Sequence, residues 1–343
     1  MEGCVGIRAD GNTILGMGHL MRCRTIALQL VKRGCRVVFF TSDDKAGELL
    51  ESWGFPVRVL HSDYRNMEQE LPALLEGLSK EGVRLLLVDS YQVTREYLNA
   101  LGKRQPVYLM DDMGQQVFPV KGVINYNIYG AELPYEKSYG AGVRLLLGAC
   151  FAPVREEFVT GTYTVRECAK RILITMGGSD LYNFGGDLAE MLCKQIGDVE
   201  LELVCGAFSP HLERLRLLEA KEKRIHVHGN VQNMAELMEG CDLAISAAGS
   251  TMYELCAVGV PAITCYYVEN QRQIAESFGR KTKVYNAGNL AEKPKEAMEN
   301  ILAQVKKMLS QYRLRTETSA SMRELVDGLG AGRIAEELMG ICE

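Results

Sequence analysis

Two doubly wound, Rossmann-like α/β domains are expected from this chain, on three observations. Short β-branched or leucine-rich runs alternate with helical segments, the pattern of a parallel sheet covered on both faces. The series of runs occurs twice, on either side of a polar, strand-poor stretch. At 343 residues, the chain also exceeds the usual size of a single hydrophobic core.

In the first half the expected strands are Val5–Arg8, Arg36–Thr41, Val57–Leu60, Arg84–Asp89, Val107–Met110, Val123–Tyr126 and Val143–Leu147, with helical patterns in most gaps. The clearest helix is His19–Arg33, where Ile26, Leu30 and Val31 continue an apolar stripe and Gly34 supplies a stop. Residues 150–170 hold Pro153 and read as the linker, so the N-terminal domain is placed at 1–155 and the C-terminal domain at 156–343. The second series runs through Arg171–Met176, Glu200–Cys205, Arg224–His228, Leu243–Ser246 and Ala262–Tyr266. After Lys293 the chain reads as helical to its end, broken at Asp327-Gly328. Residues 327–341 carry an amphipathic pattern that a helix docked on its own protein explains, with the N-terminal domain as one surface it can pack on.

Composition narrows the function classes. The formal charge of -5 argues against a protein devoted to nucleic acid, which needs a concentrated cationic surface. The 11 cysteines are an odd number, and the closest pair, Cys256 and Cys265, is nine positions apart, so neither a zinc ribbon nor a disulfide framework follows. They read as reduced thiols of a cytoplasmic protein. No stretch of about 18 apolar residues is present, and Cys4–Ala9 reads as a strand rather than a signal segment, so membrane insertion is not expected.

In doubly wound sheets, ligands collect outside the carboxyl ends of strands. Gly16-Met17-Gly18-His19 precedes the first helix, where glycines permit close backbone approach and free helix amides favour an anion. Tight turns account for the glycines equally well. His19, beside the positive end of a helix, is a candidate neutral base; the alternative is a histidine that only hydrogen-bonds a neighbouring loop. Gly177-Gly178-Ser179-Asp180 follows a strand and opens a helix. So does Ser246-Ala247-Ala248-Gly249-Ser250-Thr251, where Ser250 or Thr251 can cap the helix or bind phosphate and Glu254 can accept from ribose hydroxyls. Two such loops in one βα domain point to a nucleotide-diphosphate site. Tyr267-Val268-Glu269-Asn270-Gln271 offers amides suited to a sugar or to a helix cap, and Tyr91, after the strand ending at Asp89, either lines a pocket or covers one. His226 and His228 share a strand face but lack a third zinc ligand by spacing, and Asp111-Asp112 reads as a turn cap more readily than as a magnesium site. Arg22 lies close enough to His19 to influence its proton affinity.

Arg8-Ala9-Asp10, followed by Gly16-Met17-Gly18-His19-Leu20-Met21-Arg22-Cys23, resembles the opening of the pseudaminic acid pathway hydrolases and related spore-coat polysaccharide proteins. Asp89-Ser90-Tyr91, Met176-Gly177-Gly178-Ser179-Asp180 and Tyr267-Val268-Glu269-Asn270-Gln271 match later signatures of that family in the same order. The resemblance implies a GT-B arrangement with an interdomain cleft. It further implies hydrolysis of UDP-2,4-diacetamido-2,4,6-trideoxy-β-L-altropyranose to UDP and free sugar, with inversion and without cofactor or metal. By the same resemblance His19 is the general base; Gly18, Tyr91, Asn270 and Gln271 border the sugar; and Gly177, Gly178, Ser179, Asp180, Ser250, Thr251 and Glu254 hold UDP. The UDP-sugar is the one partner implied, for a monomer or weak oligomer. Ser90 departs from the pattern, since some members carry histidine there, and bears on sugar selection. A glycosyltransferase with the same donor site and a nucleotide-sugar-binding protein without turnover are the alternatives.

Overall fold

The structure, a computed structural model, describes residues 3–11, 17–159, 161–206 and 209–342. It divides into two compact units, Met1–Val154 with Leu329–Glu343, and Arg155–Gly328.

The first unit runs β1 (Cys4–Ala9), α1 (Gly18–Lys32), β2 (Arg36–Thr41), α2 (Asp44–Ser52), β3 (Val57–Val59), α3 (Leu71–Lys80), β4 (Leu85–Asp89), α4 (Arg95–Gly102), β5 (Val107–Met110), β6 (Gly122–Asn125), α5 (Tyr135–Ser138) and β7 (Arg144–Leu147). Among the described residues its seven strands are all parallel, in the order β3-β2-β1-β4-β5-β6-β7. The strands are apolar on both faces because helices cover both: Val5, Ile7, Leu85 and Leu87 face one layer, and Leu86, Val88, Val38 and Phe40 the other. Burying each such side chain contributes about 1.5–3 kcal/mol. Asp43 and Thr94 start α2 and α4 by accepting from Ala46 N and Tyr97 N, caps worth about 1 kcal/mol each.

The second unit runs β8 (Arg171–Thr175), α6 (Phe184–Gln195), β9 (Glu200–Cys205), α7 (Leu212–Lys221), β10 (Ile225–Gly229), α8 (Met234–Glu239), β11 (Leu243–Ala247), α9 (Ser250–Val258), β12 (Ala262–Tyr266), α10 (Glu269–Lys281), β13 (Tyr285–Asn289), α11 (Pro294–Ser310) and α12 (Tyr312–Leu325). Its strand order is β10-β9-β8-β11-β12-β13, again parallel. The chain then returns to the first unit as α13 (Gly330–Cys342). Ala331, Ile334, Ala335 and Leu338, spaced as one helical stripe, are buried in the same core as Leu20, Ile26, Ala27 and Leu30 of α1. Glu337 fastens this helix to the sheet, accepting from Tyr108 Oη at 2.7 Å and from Arg144 at 2.8 Å.

Strand bounds differ by one residue at several ends from those read in the sequence, as hydrogen-bond-defined ends commonly do. One strand was not expected at all. Tyr-Asn-Ala-Gly-Asn at 285–289 is poor in strand-forming residues, yet it pairs along the edge of β12 through an irregular register and buries Ala287. Both sheets reverse their strand order at a central pair, β1 and β4 in the first unit and β8 and β11 in the second. These two crevices lie at the carboxyl ends where ligands collect in such folds.

Candidate active site

In the first unit, β1 and β4 are neighbours in register Ala9 to Asp89, so the chain leaving β1 re-enters α1 close to the end of β4. Gly16 lies outside the described residues. Gly18 opens α1, where a Cβ would meet nothing within 4 Å among the described residues, and His19 follows, buried, in the first turn. Asp89 Oδ1 lies 2.6 Å from His19 Nδ1. Arg22 and Cys23, three and four residues on, share that helix face. Arg22 holds the same carboxylate in a fork, Nε to Oδ2 and Nη2 to Oδ1, both at 2.6 Å, and the Cys23 thiol donates to Oδ2 at 3.4 Å. The remaining Arg22 nitrogen, Nη1, donates to Asp112 at 2.9 and 3.1 Å and to Tyr126 Oη at 3.2 Å.

The histidine tautomer follows from this packing. An unprotonated Nδ1 would set a lone pair against a carboxylate oxygen at 2.6 Å, so Nδ1 carries hydrogen and donates to Asp89, leaving Nε2 as the acceptor of the neutral ring. Arg22 Nη2, 3.2 Å from Nδ1, donates to Asp89 Oδ1 at 2.6 Å. Burial opposes ionisation of Asp89, but Arg22 and His19 hold its carboxyl well below the usual carboxylate range. A folded-state value below the unfolded one means this stabilisation is present above about pH 4 and is lost only as pH falls toward the depressed folded value. Asp89→Ala, which leaves Asp112 as the remaining carboxylate on Arg22 and strands Nε and Nη2 beside a void, is expected to cost about 1–3 kcal/mol in denaturant unfolding. An unchanged midpoint would remove the case for a buried ion pair. Burial also pushes the Cys23 thiol well above its ordinary range, so it stays a protonated donor.

Tyr91 stands edge-on to the His19 ring, centroids 4.7 Å apart, and its hydroxyl donates to Asp112 Oδ2 at 2.6 Å. Half of Tyr91 remains exposed. Ser90 accepts from Gln92 N in the turn beneath it. Asp111 accepts from the amides of Met113 and Gly114, a turn cap, whereas Asp112 accepts from Arg22, Tyr91 and Asn127. The Arg8-Ala9-Asp10 motif is an internal brace: fully buried Arg8 binds Glu70 through Nε and Nη2 and Asp10 through Nη1, and Asp10 accepts from Thr41 Oγ1 and Ser42 N at the end of β2.

The second unit carries an open pocket of about 510 Å³, within the range that holds small ligands. Gly177, Gly178 and Ser179 line it from the loop after β8, Ser250, Thr251 and Glu254 from the start of α9, and Asn270 and Gln271 from the start of α10. Asp180 does not. It turns back, at a positive φ of 36°, to accept from Phe184 N and Gly185 N at 2.9 Å, so it occupies the amides of α6 that were expected to meet phosphate. The start of α9 differs: Gly249 is its N-cap, no side chain caps it and no acid lies in its first turn. The start of α9, unlike that of α6, therefore lines the pocket with no side-chain cap on its first amides.

Of the other lining residues, Gly206 and Arg155 were not singled out in the sequence, whereas Tyr267 was. Gly206, after β9, approaches so closely that a Cβ there would lie 2.3 Å from Gly177 O and 2.4 Å from Gly178 O. The strand-end rule applied to Glu200–Cys205 points to that position. Tyr267 ties two loops together, its hydroxyl donating to Met176 O at 2.5 Å and its amide to Gln271 Oε1 at 3.1 Å. Gln271 therefore turns its Nε2 donor free of that contact. Arg155 Nη2 donates to Glu254 at 3.2 Å; burial pushes the Glu254 carboxyl up and Arg155 opposes it. Away from the pocket, His226 and His228 pair with Glu200 and Glu202 of the adjacent strand, each at 2.6 Å. Among the described residues no group of three His, Cys, Asp or Glu side chains is placed to hold a metal ion, and no helix is long and apolar enough to cross a membrane.

The residues assigned from sequence are thus divided. Gly18, His19 and Tyr91 lie in the first unit, and Gly177, Gly178, Ser179, Ser250, Thr251, Glu254, Asn270 and Gln271 line one pocket of the second.

Comparison with known proteins agrees with this division. The glycosyltransferase family 28 C-terminal domain matches residues 172–329, within or at the edge of the second unit. The structure is similar to that of MurG from Acinetobacter baumannii, with a TM-score of 0.72 at 16% identity over 99% of this chain and 100% of that one, which establishes the GT-B fold. The UDP-2,4-diacetamido-2,4,6-trideoxy-beta-L-altropyranose hydrolase of Campylobacter jejuni is 25% identical over 80% of this chain and 95% of its own. The spore coat polysaccharide biosynthesis protein SpsG of Bacillus subtilis is 30% identical over 99% of this chain and 98% of its own. With that identity across nearly the whole of both chains, the protein belongs to the family of SpsG and the pseudaminic acid pathway hydrolases.

Proposed function

We propose that the protein hydrolyses UDP-2,4-diacetamido-2,4,6-trideoxy-β-L-altropyranose, or a close diacetamido relative, to UDP and free sugar. The observation that carries the proposal is the His19–Asp89 pair, whose geometry leaves Nε2 as an acceptor at the crevice between β1 and β4. Nε2 takes a proton from water, the water oxygen bonds to the anomeric carbon, and the bond from that carbon to the β-phosphate oxygen breaks with its electron pair leaving on UDP. Asp89 holds the ring in the needed tautomer and stabilises the imidazolium that forms. Attack from the face opposite the leaving group inverts the anomeric centre.

The second-unit pocket supplies the other half of the chemistry. Amides of Gly177 and Gly178 and the uncapped start of α9 stabilise charge on the departing diphosphate, and no step is assigned to a metal ion. Glu254 accepts from ribose hydroxyls, while Asn270 and the Gln271 Nε2 donor serve the sugar's acetamido carbonyls. The hydrolase named in Campylobacter jejuni supports this choice of substrate.

A transferase with the same donor site is the competing reading, since the glycosyltransferase family 28 C-terminal domain matches residues 172–329. Incubating the purified chain with the diacetamido UDP-sugar in ¹⁸O-labelled water, without acceptor, separates the two. UDP and a free sugar labelled at its anomeric oxygen are expected by NMR and mass spectrometry. Absence of release over hours at micromolar enzyme would sink the hydrolase reading.

A further inference from the structure

Asp89 serves two cations, the His19 imidazole when protonated and the Arg22 guanidinium, and one carboxylate cannot balance both. Arg22 has a second carboxylate, Asp112, on the opposite side of its fork. Among the described residues, the groups facing His19 are Asp89 from the end of β4, Arg22 from its own helix and Tyr91 from the loop after β4, with Cys23 of the same helix donating to Asp89. Through Arg22 the cluster extends to Asp112 after β5 and Tyr126 after β6. Burial pushes the Cys23 thiol and the phenols of Tyr91 and Tyr126 above their ordinary ranges, so all three remain neutral at working pH. Four groups then carry the charge. With Asp89, Asp112 and Arg22 ionised, the cluster has one surplus negative charge while His19 is neutral, and none once the ring is protonated.

We propose that Asp112 is a positioning residue that acts through Arg22: by neutralising the guanidinium it leaves the Asp89 charge available to His19. Its geometry suits that task. The Asp112 side chain is only 14% exposed, accepts from Arg22 Nη1 through both of its oxygens, and is kept in place by Tyr91 Oη at 2.6 Å and Asn127 Nδ2 at 3.1 Å. Without its charge, Arg22 turns its full positive charge on Asp89 and on the ring that must become cationic. The same carboxylate holds Tyr91 beside His19, so charge and ring orientation are set together. This inference rests on the reading of His19 as a base that gains a proton during turnover.

The test compares Asp112→Asn, neutral and of equal size, with Asp112→Glu, which keeps the charge. The His19 ring signal, assigned by its loss in His19→Gln, is followed by NMR through a pH titration of the chain without substrate. Removing a negative charge disfavours the imidazolium, so the midpoint with Asn is expected to lie lower than in the unaltered chain, by about one pH unit for a charge acting across several ångströms. With Glu it returns toward the starting position. In kinetics the acid limb of kcat/KM moves the same way, the plateau falls several-fold because the base is weaker, and UDP affinity is unchanged. Tyr91→Phe, which removes the hydroxyl but no charge, should leave the acid limb in place. Equal midpoints for Asn and the unaltered chain, or equal displacement by Asn and Glu, would overturn the role. If Asn fails to fold, Asp112→Ser makes the same prediction. Should the unaltered chain release no UDP, the hydrolase reading falls, while the substrate-free titration still decides the role of Asp112.

Discussion

His19→Ala is expected to reduce UDP release by about 10²–10⁴-fold, the usual contribution of a positioned general base, with UDP affinity unchanged. The separation of effects follows from where the groups lie. His19 belongs to the first unit, whereas the pocket lined by Gly177, Gly178, Ser250, Thr251 and Glu254 belongs to the second. The fold should survive the substitution, because Asp89 keeps its two bonds to Arg22 and the thiol of Cys23. Single-turnover release of UDP, with calorimetry of UDP binding alongside, reads the two quantities independently. A variant that binds no UDP yet turns over what substrate it captures would make His19 a binding residue.

Gly206→Ala produces the converse result, a loss of UDP affinity of roughly 100-fold, or about 2.7 kcal/mol. The added methyl would lie 2.3 Å from Gly177 O and 2.4 Å from Gly178 O. Both obstacles are main-chain atoms, so no side-chain rotation relieves the clash and the loop itself must move. Gly177 is already at a φ of 81°, a conformation that other residues resist, which limits how the loop can retreat. Overpacking of this kind costs about 1–3 kcal/mol of stability as well. Because the His19–Asp89 pair is in the other unit, its NMR titration should be untouched. Retention of UDP affinity in a folded Gly206→Ala protein would show that the loop after β8 does not hold the diphosphate.

Much of the fold was legible in the sequence because short-range patterning encodes it. The buried strands β1, β4 and β11 are largely apolar runs, each with a single polar or charged residue at or near its carboxyl end, and the stripe Ala331, Ile334, Ala335 and Leu338 announces a docked helix. The edge strand β13 was not legible. Asn286, Gly288 and Asn289 disfavour extended pairing, and only the neighbouring β12 makes the strand. At the site, the glycine-rich loops were visible because they follow strands, and all of Gly177, Gly178, Ser179, Ser250 and Thr251 reach the pocket. Asp180 was not predictable in the same way. In sequence it continues the phosphate loop, but its positive φ folds the carboxylate back onto the amides of α6.

Local order, then, belongs to the chain itself: the succession of strands and helices, the glycine loops at their junctions, and a histidine at the start of a helix are all set by neighbours within a few residues. Partnership belongs to the folded molecule. Asp89 is 70 residues from His19 and Asp112 is 90 from Arg22, and no periodicity relates them. They meet because β1 pairs with β4 and β4 with β5, which brings the ends of these distant segments to one edge of the sheet. Parallel pairing of this kind is driven by burial of whole strands rather than by any one polar residue, so the ionic cluster around His19 is a consequence of the sheet's strand order.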